Sequence, residues 1–350
     1  MTNPQSRSAL HASFDPARAE DAAFVALSEY AMDGTMDRLT GEKDDNFLLT
    51  TNKGERFLMK VAHPNEDAEV MALQSAVLLF LEGHATKFRV QRVVRNVDGR
   101  ADFVVGEGPL SGRSVRMTTY LDGTLMRMAS SSARLRRHVG ETCAALSAAL
   151  VGFDHPAAHR HLLWDLQHVH DLRPLIEELN DLDDRNLLLG ELERLERLVA
   201  PRQTSLRSQV IHNDLSTDNL LVTDDANEVA GIIDFGDVVH APLVNDLAVA
   251  VSYQLSSTTD VVAAACDVVS GFHSVTPLSE GELSLLPALV TARTLTWVTI
   301  PAWRAVRVPN NREYVLRNAE RSRTQLHKLL GIHDEYFVEE LFRACRMEET

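Results

Sequence analysis

Cysteine is scarce in this 350-residue chain, occurring only as Cys143, Cys266 and Cys345. Three widely spaced thiols make neither a disulfide framework nor a metal cluster, which favours a reducing, cytoplasmic setting. Long apolar runs are lacking too. No stretch approaches the roughly 18 uninterrupted apolar residues of a membrane span, and Met1 to Glu20 carries no apolar core of the kind a secretory signal needs. Neither secretion nor a membrane partner is expected. Basic residues are outnumbered, 35 Lys and Arg against 50 Asp and Glu, for a net charge of −15. Nucleic-acid affinity comes from clustered cations that release counterions, so no nucleic-acid partner is expected, and amine-bearing partners suit the balance better. No internal repeat or extended low-complexity segment occurs, which removes solenoids and linker arrays. No G-x-x-x-x-G-K-[ST] sequence is found, which disfavours a P-loop kinase.

What is present is enough for a sizeable core, since 45% of the residues are hydrophobic and the length allows two packed lobes. The first third reads as mostly β. After a helix over Pro16 to Tyr30, Phe47 to Thr51 and Arg56 to Ala62 read as a hairpin around Asn52-Lys53-Gly54. A helix follows from about Glu66 to Glu82, with Val70, Leu73, Val77, Leu78 and Leu81 at helical spacing. Strands are expected at Arg89 to Val97, Phe103 to Gly106 and Val115 to Tyr120. From Leu121 onward helices dominate, among them Arg134 to Val151, Leu188 to Val199 and Leu285 to Ile300. A β-rich lobe to about Thr118, a hinge over 119–123 and a helical remainder over 124–350 imply a ligand-binding cleft.

The densest signal is His212-Asn213-Asp214-Leu215-Ser216-Thr217-Asp218-Asn219, followed fifteen residues after Asn219 by Asp234-Phe235-Gly236-Asp237. Phosphoryl transfer from a nucleotide needs a carboxylate to orient and deprotonate the acceptor hydroxyl, and oxygen ligands to hold Mg²⁺ against the phosphates. Asp214 fits the first role, and Asn219 and Asp234 the second. An antiparallel hairpin with Val222 opposite Val229 places Asn219 opposite Ile232, with Asp234 within roughly 7 to 8 Å. On the strand Arg56 to Ala62, alternation sets Leu58, Lys60 and Ala62 on one face, so that Lys60 can reach the α- and β-phosphates if that face lines the cleft. The loop before the hairpin, Gly41 to Asn46, has a single glycine, so a glycine-rich phosphate loop is absent.

These segments resemble the aminoglycoside-phosphotransferase and choline-kinase superfamily over about Asp37 to Leu330, and within it the hydroxylysine kinase-like branch. The likeness extends to Asp44-Asp45-Asn46-Phe47, Leu58-Met59-Lys60-Val61 and Thr119-Tyr120-Leu121-Asp122-Gly123. Leu163-Trp164-Asp165-Leu166 and Ser270-Gly271-Phe272-His273-Ser274-Val275-Thr276-Pro277-Leu278 point to the branch. The resemblance implies an α+β, two-lobed protein-kinase-like fold with a small β-rich N-terminal lobe and a mainly helical C-terminal lobe. It implies Asp214 as catalytic base, Asn219 and Asp234 as Mg²⁺ ligands, and Lys60, Asn46, Tyr120 and Leu121 at the nucleotide, ATP or GTP. Asp246 would brace the catalytic loop, and His212 would be structural. The chain departs from the pattern twice: Asn213 stands where most members have glycine, and Gln74 aligns where a helix glutamate often pairs with the lysine, with Glu69 as a substitute.

The expected activity is phosphorylation of a hydroxyl on an amino-bearing metabolite, with hydroxylysine or a related hydroxy amino acid first. Aminoglycoside, choline, ethanolamine and homoserine are alternative acceptors, and a non-catalytic pseudokinase is the alternative without chemistry. Trp164, Asp165 and Asp237 are expected at the substrate, the two carboxylates binding ammonium groups. Arg293 lies in an apolar helix where an unpaired guanidinium is costly, so it needs an anion. Either a substrate carboxylate or a protein carboxylate such as Asp246 or Asp237 would serve.

Overall fold

The structure, a computed structural model, describes residues 16–41, 44–179, 182–307, 316 and 318–346. The chain divides into two compact units. One ends at Asp122 and also takes in His155–His159; the other covers Gly123–Asp154 and resumes at Arg160.

In the first unit, helix α1 (Ala19–Tyr30) precedes strands β1 (Gly34–Leu39), β2 (Asp45–Thr51) and β3 (Arg56–Val61). Helix α2 (Ala68–Glu82) is followed by β4 (Arg89–Val90), β5 (Val93–Val94), β6 (Asp102–Val104) and β7 (Ser114–Thr119). The antiparallel sheet runs β1-β2-β3-β7-β5, with β6 also on β7. Phe47, Leu49, Met59, Val61, Val115 and Met117 point to one face of that sheet. There they pack with Ala22, Val25, Ala26 and Tyr30 of α1. Alternation therefore sends Leu58 and Lys60 to the other face. The β2–β3 turn closes through Gly54 at φ +80°, a left-handed conformation open to glycine. Asp45, 2% exposed, ties the unit together: it accepts from the Ala17 amide at 2.9 Å, pairs with Arg113 at 3.0 Å and also pairs with Arg38.

Two features differ from the sequence reading. β1 was not anticipated. The strand expected over Arg89 to Val97 is interrupted at Gln91 and Arg92, leaving two short pieces. Glu42 and Lys43 of the loop before the hairpin lie outside the described residues.

The second unit opens with β8 (Thr124–Leu125) and α3 (Ala133–Ala149), then a 3₁₀ stretch over Leu166–Leu172, α4 (Arg173–Glu177) and α5 (Leu182–Val199). Strands β9 (Ser208–Ile211), β10 (Leu220–Val222), β11 (Val229–Ile232) and β12 (Val239–Pro242) come next. Helices α6 (Leu243–Gln254), α7 (Val261–Val275), α8 (Glu280–Arg307), α9 (Ala319–Leu330) and α10 (Asp334–Arg346) complete it. Helix α8 is the central element, packing against α5, α6, α9 and α10. It is long and apolar enough to cross a membrane, yet 89% of its most apolar window is buried among its neighbours. Its buried threonines return their hydroxyls to the preceding turn, Thr291 to the Pro287 carbonyl and Thr294 to that of Val290. Helices α3 and α7 meet at glycines: a Cβ at Gly140 would lie 1.8 Å from the Val268 oxygen, and one at Gly271 2.0 Å from the Arg137 oxygen.

Pairing of β9 with β12 and of β10 with β11 anchors both ends of two loops, 212–219 and 233–238. Val222 lies opposite Val229 as read from sequence. A bulge between Leu221 and Val222 then shifts the register, so Leu220 faces Ile232. The Ile233 amide donates to the Asn219 carbonyl at 2.9 Å, and Asn219 falls beside Ile233 instead of Ile232. The correction brings Asn219 one residue nearer to Asp234.

Candidate active site

In the first unit, Lys60 lies opposite Asn46 on β2 and opposite Arg116 on β7, and is 7% exposed. Its ammonium lies 3.6 Å from Asp44 Oδ2, and Asp44 Oδ1 accepts from the His63 amide at 3.0 Å. Asp44 is thus an ionic partner that the sequence reading, with its choice of Gln74 or Glu69, did not name. Glu69 is exposed in the first turn of α2, whose N-cap is Asp67. The side-chain oxygens of Asn46 and Gln74 are both buried without a partner among the described residues. At the end of β7, the Tyr120 amide donates to the Arg56 carbonyl at 3.0 Å and its ring lies under the Arg56 guanidinium at 4.3 Å. Arg56 also pairs with Asp122, whose carbonyl accepts from Arg89 at 3.0 Å. The segment carrying Tyr120 and Leu121 is thereby fixed.

In the second unit, loop 212–219 is built on the buried carboxylate of Asp246 at the start of α6. Its oxygens accept from the His212 amide at 3.2 Å and the Asn213 amide at 2.8 Å. His212 is fully buried, and its Nδ1 accepts from the Asp214 amide at 3.3 Å. Its Nε2–H then donates to the Ile233 carbonyl at 3.3 Å, while burial lowers the imidazole pKa and keeps it neutral. Both bonds hold backbone, so His212 acts as a structural link. Asn213 sits at φ +65°. That backbone conformation accounts for the glycine usual at this position, and asparagine is among the few other residues that tolerate it.

Asp214 is gripped on both carboxylate oxygens. Asn219 Nδ2 donates to Oδ2 at 2.7 Å, while Tyr253 OH at 3.1 Å and Arg293 Nη2 at 3.0 Å donate to Oδ1. Arg293, 2% exposed, also donates to the Trp164 carbonyl at 3.0 Å, and its guanidinium lies 5.2 Å from the Trp164 ring and 5.7 Å from that of Tyr253. Burial opposes its charge, but Tyr253 and Asp214 offset that and raise its pKa. The protein carboxylate that meets Arg293 is therefore Asp214, neither Asp246 nor Asp237, and the guanidinium is engaged without any substrate.

Asp234 adopts a left-handed conformation, φ 58° and ψ 82°, and accepts from the Gly236 amide at 3.1 Å. A non-glycine residue held there is strained, a condition that clusters at functional sites. Asp237 is half-buried, and Arg160 donates to the flanking Gly236 and Val238 carbonyls at 2.6 and 3.2 Å. Burial pushes the Asp237 pKa up to about 7, helped by the charges of Asp214 and Asp234 and opposed by Arg160 and Arg293. Asp165, expected at the substrate, is turned inward. It is 2% exposed, caps the 3₁₀ stretch at the Gln167 amide (3.0 Å) and accepts from Gln167 Nε2 at 2.9 Å. Tyr253 had not been singled out, although it lies seven residues after Asp246, two turns along one helix face.

The fold is one found among phosphotransferases. The match to the phosphotransferase enzyme family (APH) covers residues 38–275, and the chain belongs to that family. Hydroxylysine kinase of Danio rerio is 25% identical over 299 residues, 82% of this chain and 83% of its own length. Hydroxylysine kinase of Mus musculus is 25% identical over 335 residues, 89% of each chain. Homoserine kinase of Agrobacterium fabrum is 30% identical over 225 residues, 59% of this chain and 66% of its own. Among solved structures, a microcompartment-associated aminopropanol kinase superposes with a TM-score of 0.71 at 19% identity, covering 92% of this chain and 99% of its own.

Proposed function

We propose that this protein transfers the terminal phosphoryl group of ATP or GTP to the hydroxyl of a small amino-bearing metabolite in the cytoplasm, with 5-hydroxylysine the leading acceptor. The observation that carries the reading is Asp214, held by Asn219, Tyr253 and Arg293 in the same unit as Asp234 and Asp237. In this role Asp214 orients the acceptor hydroxyl and takes its proton as the new O–P bond forms and the bond to the nucleotide's β-phosphate oxygen breaks. Arg293 and Tyr253 act as positioning residues, since their contacts are to the base. Lys60, oriented by Asp44, contacts the α- and β-phosphates, with Asn46, Tyr120 and Leu121 at the nucleotide.

The donors present suit magnesium. Asn219 commits its NH₂ group to Asp214, through both the carbonyl at 2.9 Å and the carboxylate, so its amide oxygen is the ligand atom it can offer, and Asp234 adds an anionic oxygen. Hard oxygen donors of this kind are what Mg²⁺ selects. When bound, the ion neutralises charge on the transferred phosphate.

Asp237 supports the amine. Burial raises its pKa to about 7, and the neighbouring charges of Asp214 and Asp234 add repulsion. A substrate ammonium relieves that repulsion. The preference for an amino acid rests on the hydroxylysine kinase and homoserine kinase relatives. Trp164, partly exposed beside Arg293, would border that acceptor. Initial rates with ATP and with GTP on 5-hydroxylysine, homoserine, aminopropanol, choline, ethanolamine and an aminoglycoside test the assignment. Preferred turnover of 5-hydroxylysine supports it. Turnover confined to acceptors lacking a carboxylate overturns the amino-acid assignment.

A further inference from the structure

Apart from the residues assigned to phosphoryl transfer, His161, His168 and Asp171 bring together three atoms of metal-ligand type, all within 4.8 Å of one another. His161 Nε2 lies 2.6 Å from Asp171 Oδ2, and the ring of His168 stacks on that of His161 with centroids 4.2 Å apart. His170 approaches the other oxygen of Asp171 at 3.6 Å, and His168 lies 3.9 Å from Asp165. Asp165 caps the 3₁₀ stretch over Leu166–Leu172, and the backbone kinks at His168 within it.

The carboxylate at the centre of the cluster is buried: Asp171 is 7% exposed, and its side-chain partners among the described residues are the imidazoles of His161 and His170. A buried carboxylate is normally compensated by a charged partner or a metal.

We propose that His161, His168 and Asp171 form a binding site for a divalent transition cation of the zinc type, distinct from the magnesium and nucleotide residues. Zinc takes imidazole nitrogen at 2.0–2.1 Å and carboxylate oxygen at about 2.0–2.2 Å, which puts neighbouring tetrahedral ligand atoms roughly 3 to 3.5 Å apart. The 2.6 Å contact falls below that separation and the 4.8 Å limit lies above it. The ion would replace the proton shared by His161 and Asp171, and a turn of the half-exposed His168 ring would close the set. His170 or water would take the remaining position. Imidazole nitrogen selects such a cation over Mg²⁺, which prefers oxygen. The same segment contacts the surroundings of Asp214 and Asp234: Arg160 donates to the Gly236 carbonyl, the Trp164 carbonyl accepts from the positioning residue Arg293, and Gln167 donates to the His240 carbonyl at 3.0 Å. A bound ion would stiffen this support, so it should also raise the Tm.

The test uses tag-free, chelator-treated full-length protein in excess Mg²⁺, titrated with Zn²⁺ by calorimetry and with Co²⁺ by visible absorption. The expected result is one saturable equivalent of Zn²⁺, a Co²⁺ d–d band, and binding weakened at least about tenfold by His168→Ala and by Asp171→Asn. His333→Ala, at an exposed histidine elsewhere in the chain, should leave affinity unchanged. His168 is partly exposed, so its alanine variant reads out even if the Asp171 substitution fails to fold. No saturable Zn²⁺ binding, or equal affinity in wild type and His168→Ala, overturns the site.

Discussion

Replacing Arg293 with methionine keeps much of the side-chain volume while removing the charge and all of its N–H donors. In the wild type the guanidinium is 2% exposed and donates to Asp214, Tyr253 and the Trp164 carbonyl. A hydrogen bond to a charged group contributes about 1.5–3 kcal/mol, and breaking a buried ion pair from one side costs about 3–5 kcal/mol. The lower range applies to positioning Asp214, because its side chain keeps 22% exposure and water relieves part of the loss. At about 1.36 kcal/mol per factor of ten, kcat should fall roughly 10- to 150-fold. Since Asp214 serves every acceptor, the fall should be the same for an amino acid and for an amino alcohol. Steady-state kinetics on both, with calorimetric titration of the Mg-nucleotide complex, separate the effects. Nucleotide affinity should hold while kcat drops. A preserved kcat, with KM raised only for the carboxylate-bearing acceptor, would refute the positioning role and return Arg293 to direct contact with substrate.

Other outcomes follow from the same geometry. Asp234→Ala should weaken Mg-nucleotide binding by removing an anionic oxygen, and Lys60→Ala should do so less severely; unchanged affinity in both by calorimetry would remove the proposed nucleotide residues. Asp237 binds its proton more tightly folded than unfolded, because its pKa is raised to about 7. Its contribution to stability is therefore present at acid pH and lost as pH rises from its unfolded value of about 3.9 through about 7. The Tm of Asp237→Asn should accordingly gain on that of wild type across this window, and a flat or reversed difference contradicts the shift. Gly271→Ala forces a Cβ to within 2.0 Å of the Arg137 oxygen and should lower stability by about 1–3 kcal/mol in urea, whereas an unchanged midpoint would dismiss the close helix contact.

The placement of the two loops was legible in the sequence where the residues are contiguous. His212 to Asn219 and Asp234 to Asp237 each lie on one loop between paired strands, so spacing alone placed Asn219 near Asp234. Their register was missed by one residue because a bulge adds to β11 without leaving a mark in the apolar pattern. Partners distant in sequence were harder to find. Arg293 advertised its need for an anion by lying in an apolar helix, yet Asp214 is 79 residues away and nothing local selects it over Asp237 or Asp246. Asp44 meets Lys60 from the loop before β2, sixteen residues away in sequence, and not from the helix that often supplies such a partner. Strand β1, Gly34-Thr-Met-Asp-Arg-Leu, mixes glycine and aspartate into a half-exposed edge, a composition with weak strand preference. Asp165 read as a free carboxylate for substrate, whereas its cap at Gln167 depends on a backbone turn that sequence spacing does not reveal.

Asp214→Asn, assayed in parallel for turnover and for Mg-nucleotide affinity, bears most directly on the central claim. The amide keeps the shape of the carboxylate but cannot accept the acceptor's proton. The account predicts that turnover of 5-hydroxylysine, or of whichever acceptor the wild type prefers, is abolished while calorimetric nucleotide affinity stays nearly intact. Near-normal kcat in the variant would contradict it.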